Sequence, residues 1–288
     1  MGTFHYVFIV AHFLFYKMIT IICIEPEVAG NLGAIARVMG NFGFENLCVV
    51  NPSFRLDNGQ LIARAKHAYS IIEKAQLIKT ETNNIFPSLK KEFDYLVATT
   101  AMVGTDFNLT RSPVSSETLA LKILSKHLFN ELKVGIVLGR EGSGLSNLEL
   151  KACDFVTSIP ASSNYPTLNI SHALSILLYE LFKEKTNLIK KKSNNKKTSS
   201  NKTDKIDDIT NGKTSISHIS FASGEEKTNL IKRYADLINA LEFETLSKKT
   251  TQINAFKRIV GKSFFTKREI YIMHGFISKV LEKLKTPK

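Results

Sequence analysis

The chain is 288 residues long and 43% hydrophobic, with a net charge of +13 and an isoelectric point near 9.5. That length supports one large or two modest domains, and the positive balance, silent about fold, favours a polyanionic partner. Its three cysteines, Cys23, Cys48 and Cys153, are odd in number and show no CxxC spacing. They exclude a disulfide framework or a zinc site and fit buried free thiols in a reducing, cytoplasmic compartment.

Residues 1–17, MGTFHYVFIVAHFLFYK, are apolar and aromatic. They lack a basic start and a small-residue cleavage site and are too short to span a bilayer, so they are expected to be a mis-called start or a dispensable extension, with an N-terminal anchor as the weaker alternative. Met18 opens a natural first strand, Ile19 to Ile24, by its unbroken β-branched run. Gly30 to Gly43 reads as a helix ended by a glycine in the C-terminal capping role. On it Ile35, Val38, Met39 and Phe42 share one face. At about 100° per residue Arg37 projects from the opposite side, which by periodicity alone is a solvated surface arginine.

Leu47 to Val50 is the next strand, closed by Asn51 and Pro52. Short helices around Gln60 to Tyr69 and Ile71 to Ala75 carry Lys66 and His67, which either contact a polyanion or lie on a solvated face. Leu77 and Ile78 add a short strand, Ser88 to Phe93 ends a helix, and Tyr95 to Thr99 is a strand leading into a loop that runs to Pro113. Glu117 to Phe129 has amphipathic spacing. This alternation predicts an α/β fold with a mostly parallel sheet and helices on both faces.

The stretch from Val134 to Leu181 is where function is expected. A strand (Val134 to Leu138) breaks into a Gly-rich turn, Gly139 to Gly144. A short helix, Ser146 to Leu150, and a strand, Phe155 to Ile159, follow. A polar loop with Pro160 and Pro166 then leads to a helix opening near Asn169. Loops beyond the carboxyl ends of strands are where α/β sheets bind ligands, and their backbone N–H groups can hold polar ligands unaided. The last helix places Ile170, Ala173, Leu174, Leu177 and Leu181 on one stripe, but Ile176, Leu178 and Phe182 off it are apolar too. A helix so apolar all round needs cover on two sides, and a second subunit is the expected cover.

From about Thr186 the composition turns to Lys, Asn, Ser and Thr. Residues 186–224 are expected to be a disordered basic linker between an α/β domain (18–185) and a helical unit (225–288). In that unit Leu230, Ile231, Tyr234, Leu237, Ile238 and Leu241 show helical spacing, Thr266 and Glu269 form a capping box, and Lys257, Arg258, Lys262, Lys267 and Arg268 give a basic surface. Docking and RNA contact are both open readings of it.

Three stretches, in order, carry a resemblance: GNLGAIARVMGNFG from Gly30, LGREGSGL from Leu138 and YPTLNIS from Tyr165. With them the chain resembles the SPOUT methyltransferases, and within these the TrmJ-type tRNA ribose methyltransferases. His67 to Tyr69 and the FKRIVG and FTKRE segments of the tail look like the archaeal branch. The resemblance spans about Ile19 to Phe182 plus the tail. It implies a C-terminal trefoil knot, S-adenosylmethionine as cofactor, a homodimer whose subunits complete each other's sites, and 2′-O-methylation of tRNA at the pyrimidine opening the anticodon loop. Ribosomal RNA is the alternative substrate.

Carried over, the cofactor residues are Thr99, Thr100, Ala101, Gly139, Ile159, Pro166, Thr167 and Leu168. The essential arginine falls on Arg37 and the active-site hydroxyl on Thr167, where family members often carry Ser, Ala or Val. Leu138 stands where a Phe is common. Candidate RNA contacts are Asn31, Arg140, Glu141, Asn169, Lys66 and His67. Of these, Glu141 reads as a brace for loop backbone and Asn169 as the cap of the last helix.

The implied chemistry needs no metal, because a sulfonium methyl is already activated. A ribose hydroxyl must shed its proton during attack. A guanidinium is a poor base, so Arg37 is expected to clamp phosphate and stabilise developing alkoxide charge.

Two rivals stand beside this reading. A dinucleotide-binding fold needs G-x-G-x-x-G after a strand and an acid at the end of the next; here the glycine spacing differs and Asn51-Pro52 occupies the acid's place. A non-catalytic RNA-binding module would keep the basic tail as its working part.

Overall fold

The computed structural model describes residues 18–101, 113–124, 132–197 and 221–285. The expected N-terminal extension, most of the loop before Pro113, the end of the helix expected to reach Phe129, and residues 198–220 of the expected linker lie outside them.

Seven strands form one sheet in the order β3-β2-β1-β6-β4-β7-β5, and every pairing is parallel. They are β1 (Ile19–Ile24), β2 (Asn46–Val50), β3 (Gln76–Ile78), β4 (Tyr95–Thr99), β5 (Val114–Ser115), β6 (Val134–Leu138) and β7 (Phe155–Ser158). Alternate side chains point to opposite faces of a strand. Thus Ile19, Ile21, Val97, Ile136 and Leu138 enter one core, while Ile22, Ile24, Leu96, Ala98 and Val137 enter another. A sheet covered on both faces is why these strands read as continuous apolar runs. Gly135 sits mid-strand because a Cβ there would lie 2.6 Å from Ile22 Cδ1 and 3.0 Å from Leu96 Cδ2.

The first face is covered by α1 (Ala29–Phe42), α2 (Gly59–Ala65), α3 (Tyr69–Glu73), α5 (Ser116–Leu124) and α7 (Ile170–Lys197); the second by α4 (Ile85–Glu92) and α6 (Asn147–Ala152). Gly43 ends α1 at φ 77°, a backbone conformation natural to glycine. Gly33 lets α1 and α2 touch, since a Cβ there would lie 2.3 Å from the Leu61 carbonyl oxygen. Leu178, expected off the core stripe of α7, is fully buried with Leu174, Leu177 and Leu181. Ile176, Tyr179 and Phe182 remain exposed.

The helix expected to give way to a linker at residue 186 continues to Lys197. Polar, lysine-rich sequence is compatible with a solvated helix as well as with coil, because lysine is a good helix former. The tail packs α8 (Gly224–Ala240), α9 (Leu246–Lys262) and α10 (Lys267–Lys285) around Leu230, Leu237, Val260, Ile270 and Ile277. Its order begins earlier than residue 225, with Ala222 buried and Ser223 forming a capping box with Glu226. The expected box of Thr266 and Glu269 is present at the head of α10.

The tail docks on the amino ends of β4 and β7. Cβ atoms at Gly224 and Gly261 would lie 2.6 Å from the Phe93 carbonyl oxygen and 2.7 Å from that of Asp154, so both glycines admit backbone. Phe264 packs on Tyr95 at 4.9 Å between ring centroids, and Tyr95 Oη donates to the Ser263 carbonyl at 3.2 Å. Lys227, wholly buried in α8, sits 3.4 Å over the Tyr95 ring, donates to the Asp94 carbonyl and lies 3.3 Å from Asp154 Oδ1.

Candidate active site

At the opposite, carboxyl ends of the strands, three loops far apart in sequence converge. They follow β4 (Thr99, Thr100, Ala101), β6 (Gly139 to Leu145) and β7 (Ile159, then Tyr165 to Asn169), and they enclose a cavity of about 700 Å³. All eight expected cofactor residues line it: Thr99, Thr100, Ala101, Gly139, Ile159, Pro166, Thr167 and Leu168. Asn31, Arg140, Glu141 and Asn169 join them.

Backbone proximity builds the cavity. A Cβ on Gly139 would lie 2.4 Å from the Gly144 carbonyl carbon, so only glycine lets the turn close. Arg140 and Gly144 exchange backbone hydrogen bonds across it, and Gly144 has φ 68°. The Thr99 hydroxyl donates to the Val137 carbonyl at 3.0 Å and Thr100 N to the Thr157 carbonyl at 3.0 Å, tying the loop after β4 to its neighbours. Asn169 caps α7, its Oδ1 accepting from Ser171 N at 2.9 Å.

The polar residues of the cleft mostly brace one another. Glu141 accepts from Glu27 N at 2.8 Å and from Val28 N at 3.2 Å, and so covers the start of α1, where Val28 supplies no side-chain cap. Asn31 Nδ2 reaches Glu141 Oε1 at 3.4 Å, and Asn169 Nδ2 reaches Asn31 Oδ1 at 3.3 Å. This chain of hydrogen bonds ties together the starts of α1 and α7 and the turn after β6.

Arg140, expected among the RNA contacts, lines the cleft with its guanidinium paired to two carboxylates. Its guanidinium makes two hydrogen bonds of 3.0 Å to Glu149 and one of 2.7 Å from Nε to Glu25, with its side chain only 17% exposed. Its fork matches two carboxylates, which fixes it inside the turn. The Glu149 hydrogen bonds, ahead of those to Glu25, push its pKa up. Burial alone would raise Glu149, but Arg140 and Ser146 outweigh it and hold that carboxyl below the usual range.

Arg37 does not line this cavity. It is exposed on α1 and borders a separate hollow of about 670 Å³ with Asn41, Lys66, His67, Ser70 and Lys74. Lys66 adopts φ 53° there, unusual for a side-chain-bearing residue. Six residues separate Arg37 from Asn31. At ~1.5 Å per residue Arg37 therefore lies about 9 Å further along the helix, turned to another side.

Sequence reasoning missed Tyr165 and His172, which also line the cleft. The position of His172 in the first turn of a helix that starts beside the strand ends was the available signal. Asn51, in the place a ribose-binding acid would occupy, instead holds Thr80 through both side-chain atoms, at 2.7 and 3.0 Å. Cys23, Cys48 and Cys153 are free; burial raises all three thiols, Cys48 to about 12. Among the described residues no group of three or more His, Cys, Asp or Glu could hold a metal, and no helix is long and apolar enough to cross a membrane.

Residues 18–179 match the model of the SpoU rRNA Methylase family. The chain is 34% identical over 258 residues to the tRNA (cytidine-2′-O-)-methyltransferase TrmJ of Methanocaldococcus jannaschii, covering 89% of this chain and 96% of that one. It is 35% identical over 171 residues to the protein of the same name from Sulfolobus acidocaldarius, covering 59% and 68%. The solved structure of TrmJ from Z. mobilis ZM4 superposes with a TM-score of 0.60 at 20% identity, over 91% of this chain and 98% of that one, a likeness of fold.

Proposed function

The chain belongs to the SpoU methylase family, a family of methyltransferases, and on that premise we propose that it methylates the ribose 2′-hydroxyl of tRNA with S-adenosylmethionine. The target we favour is the pyrimidine opening the anticodon loop, cytidine foremost. The observation that carries this reading is the meeting of three loops, two of them in the resemblance-bearing stretches from Leu138 and Tyr165, in one cavity of about 700 Å³, within the ~300–1,000 Å³ typical of small-molecule sites. The relatives named as tRNA (cytidine-2′-O-)-methyltransferases support the substrate.

The cleft suits the cofactor in its chemistry. Leu138, Ile159 and Leu168 supply apolar wall, and the turns after β4 and β6 supply polar backbone. When bound, S-adenosylmethionine supplies an electrophilic methyl. The residues of this chain do the positioning. Thr167 borders the cavity from an exposed loop, where its hydroxyl can meet ribose or donor. Arg37 clamps the neighbouring phosphate and stabilises charge growing on the attacking oxygen. The proton leaves to phosphate or water.

Because Arg37 lies off the cleft of its own protomer, we assign it to the cleft of a second copy. The exposed Ile176, Tyr179 and Phe182 on α7 support this assembly. Phe42 of the Arg37-bearing helix packs beside them, 6.3 Å from Tyr179 and 6.0 Å from Phe182 between centroids. We also place the chain after β7 as threaded into a trefoil knot. Its return to the turn after β6 is consistent with threading.

The test is to incubate the full chain with methyl-labelled donor and a tRNA transcript and to map ribose methylation by mass spectrometry. One modified pyrimidine at the start of the anticodon loop is expected. Label in ribosomal RNA fragments alone moves the substrate. Tight RNA binding without donor binding overturns catalysis in favour of a binding module.

A further inference from the structure

The seam between the sheet domain and the helical tail gathers cations that the cleft does not use. Lys90 lies in the last turn of α4, Lys151 in that of α6 and Lys122 in that of α5; Lys257 and Lys262 come from α9. One cation at a helix carboxyl end is explained by the helix dipole. The dipole accounts for Lys90, Lys122, Lys151 and Lys262 one by one, but not for Lys257, further back in α9, nor for the gathering of all five at one seam. Among the described residues none of the five forms a salt bridge.

Two acids at the seam, Asp154 and Asp94, are engaged by other groups. Asp154 accepts from Lys227 Nζ at 3.3 Å through Oδ1 and from Leu96 N at 2.9 Å through Oδ2, while Asp94 Oδ2 accepts from Lys133 N at 2.9 Å. Burial and then Lys90 depress Lys257, with Lys151 adding to the effect and Asp154 opposing it. Lys262 is depressed by burial, Arg258 and Lys122. Lys122 itself sits 5.8 Å from the Phe155 ring centroid, beside the docked Phe264. Holding like charges together costs stability unless an anion neutralises them.

We propose that this seam is a second RNA-binding surface, in which Lys90, Lys151 and Lys257, flanked by Lys122 and Lys262, hold phosphodiester groups of the RNA whose ribose enters the cleft. The proposal rests on the reading of the substrate as RNA. The seam lies at the amino ends of β4 and β7 and the cleft at their carboxyl ends. Five residues of β4 at ~3.3 Å each set them about 16 Å apart. An RNA touching both is therefore gripped well away from its reacting nucleotide, so the seam contributes to affinity and not to the chemical step.

The experiment compares the full chain with Lys90→Gln/Lys151→Gln/Lys257→Gln, with Lys90→Gln/Lys151→Gln in case Lys257 is needed for docking, and with the matching arginine triple. Binding to a tRNA transcript is measured over a range of salt with S-adenosylhomocysteine present, and then KM and kcat. The triple glutamine variant is expected to flatten the slope of log affinity against log salt by about 2–3 and to weaken binding roughly tenfold or more at low salt. It should raise KM for tRNA and keep kcat, the double variant should shift partway, and the arginine triple should match wild type.

Unchanged slope and KM in both glutamine variants overturn the proposal. So does an equal loss in the arginine triple, which would mark a packing role. Weakened adsorption to phosphatidylglycerol vesicles with an unchanged tRNA slope would reassign the surface to membranes. A wild type that binds tRNA steeply but transfers no methyl sinks the activity reading alone, and the salt slopes still decide the seam.

Discussion

Glu27 and Glu141 hold each other's loops: Glu27 N donates to Glu141 Oε2 at 2.8 Å, and Gly142 N donates to Glu27 Oε2 at 3.2 Å. Two acids meet without repulsion dominating because both accept from backbone N–H groups, Glu141 at the positive end of α1. The turn that walls the cleft thus fixes the helix that carries Arg37. Glu141→Ala removes the acceptor at the start of α1, and the loss of such a cap costs about 1 kcal/mol. Thermal unfolding should show that loss, and donor affinity should fall with it. A variant with full stability and full donor affinity would show the clasp to be idle.

Arg140 with Glu149 and Glu25 makes the turn acid-sensitive. The folded-state pKa of Glu149 is depressed, so its charged form stabilises the fold above the ordinary glutamate range, and this contribution disappears as pH falls through the lowered value. Denaturant titrations from neutral pH downward should therefore show wild type losing stability faster than Glu149→Gln. Parallel acid profiles would remove Glu149 as a contributor. At neutral pH Arg140→Ala strands two carboxylates and is expected to cost about 3 kcal/mol.

Lys227 couples the tail to the sheet domain. Removing one partner of a buried ion pair typically costs ~3–5 kcal/mol, whereas an apolar replacement of similar volume costs far less. Lys227→Ala is expected to loosen the tail, read as faster proteolysis after residue 221, and Lys227→Met to preserve docking. Equal protease resistance in wild type and the alanine variant would show that Gly224, Gly261 and Phe264 suffice alone.

The same lysine shows where sequence reasoning stopped. It lies three residues before Leu230 on the stripe that runs through Tyr234, Leu237 and Leu241, so its position was legible. Its identity hid it, because lysine is rarely buried unless paired, and Asp154 lies 73 residues away. The central strands were legible because both faces are covered and their runs are unbroken. The two-residue edge β5 carries too little pattern to be read, whereas the short edge β3 was expected at Leu77 and Ile78. The eight residues that the resemblance assigns to the cofactor line one cavity; the Gly-rich turn after β6 and the Pro-bearing loop after β7 announce themselves locally, whereas Thr99 to Ala101 carry no such signal and came only with the resemblance. The pairing of Arg140 was not legible because its partners Glu25 and Glu149 come from separate elements. Composition marked residue 186 as a boundary, but a helix needs no apolar face to continue.

Arg37 offers the test that joins geometry to assembly. It is exposed and distant from its own cleft, so Arg37→Lys should leave stability and donor binding unchanged while lowering turnover ~10²–10³-fold, as loss of a preorganised donor does. Retained turnover at saturating tRNA would remove the bidentate clamp. If the arginine serves a second copy, two inactive proteins can rescue each other. Arg37→Ala has an intact cleft, and Ala101→Trp has a filled cleft but an intact arginine. In a symmetric dimer, random mixing makes half the dimers mixed, each with one complete site, so co-expression should restore about a quarter of wild-type activity. Action within one protomer predicts none, because neither chain alone holds both an open cleft and its arginine.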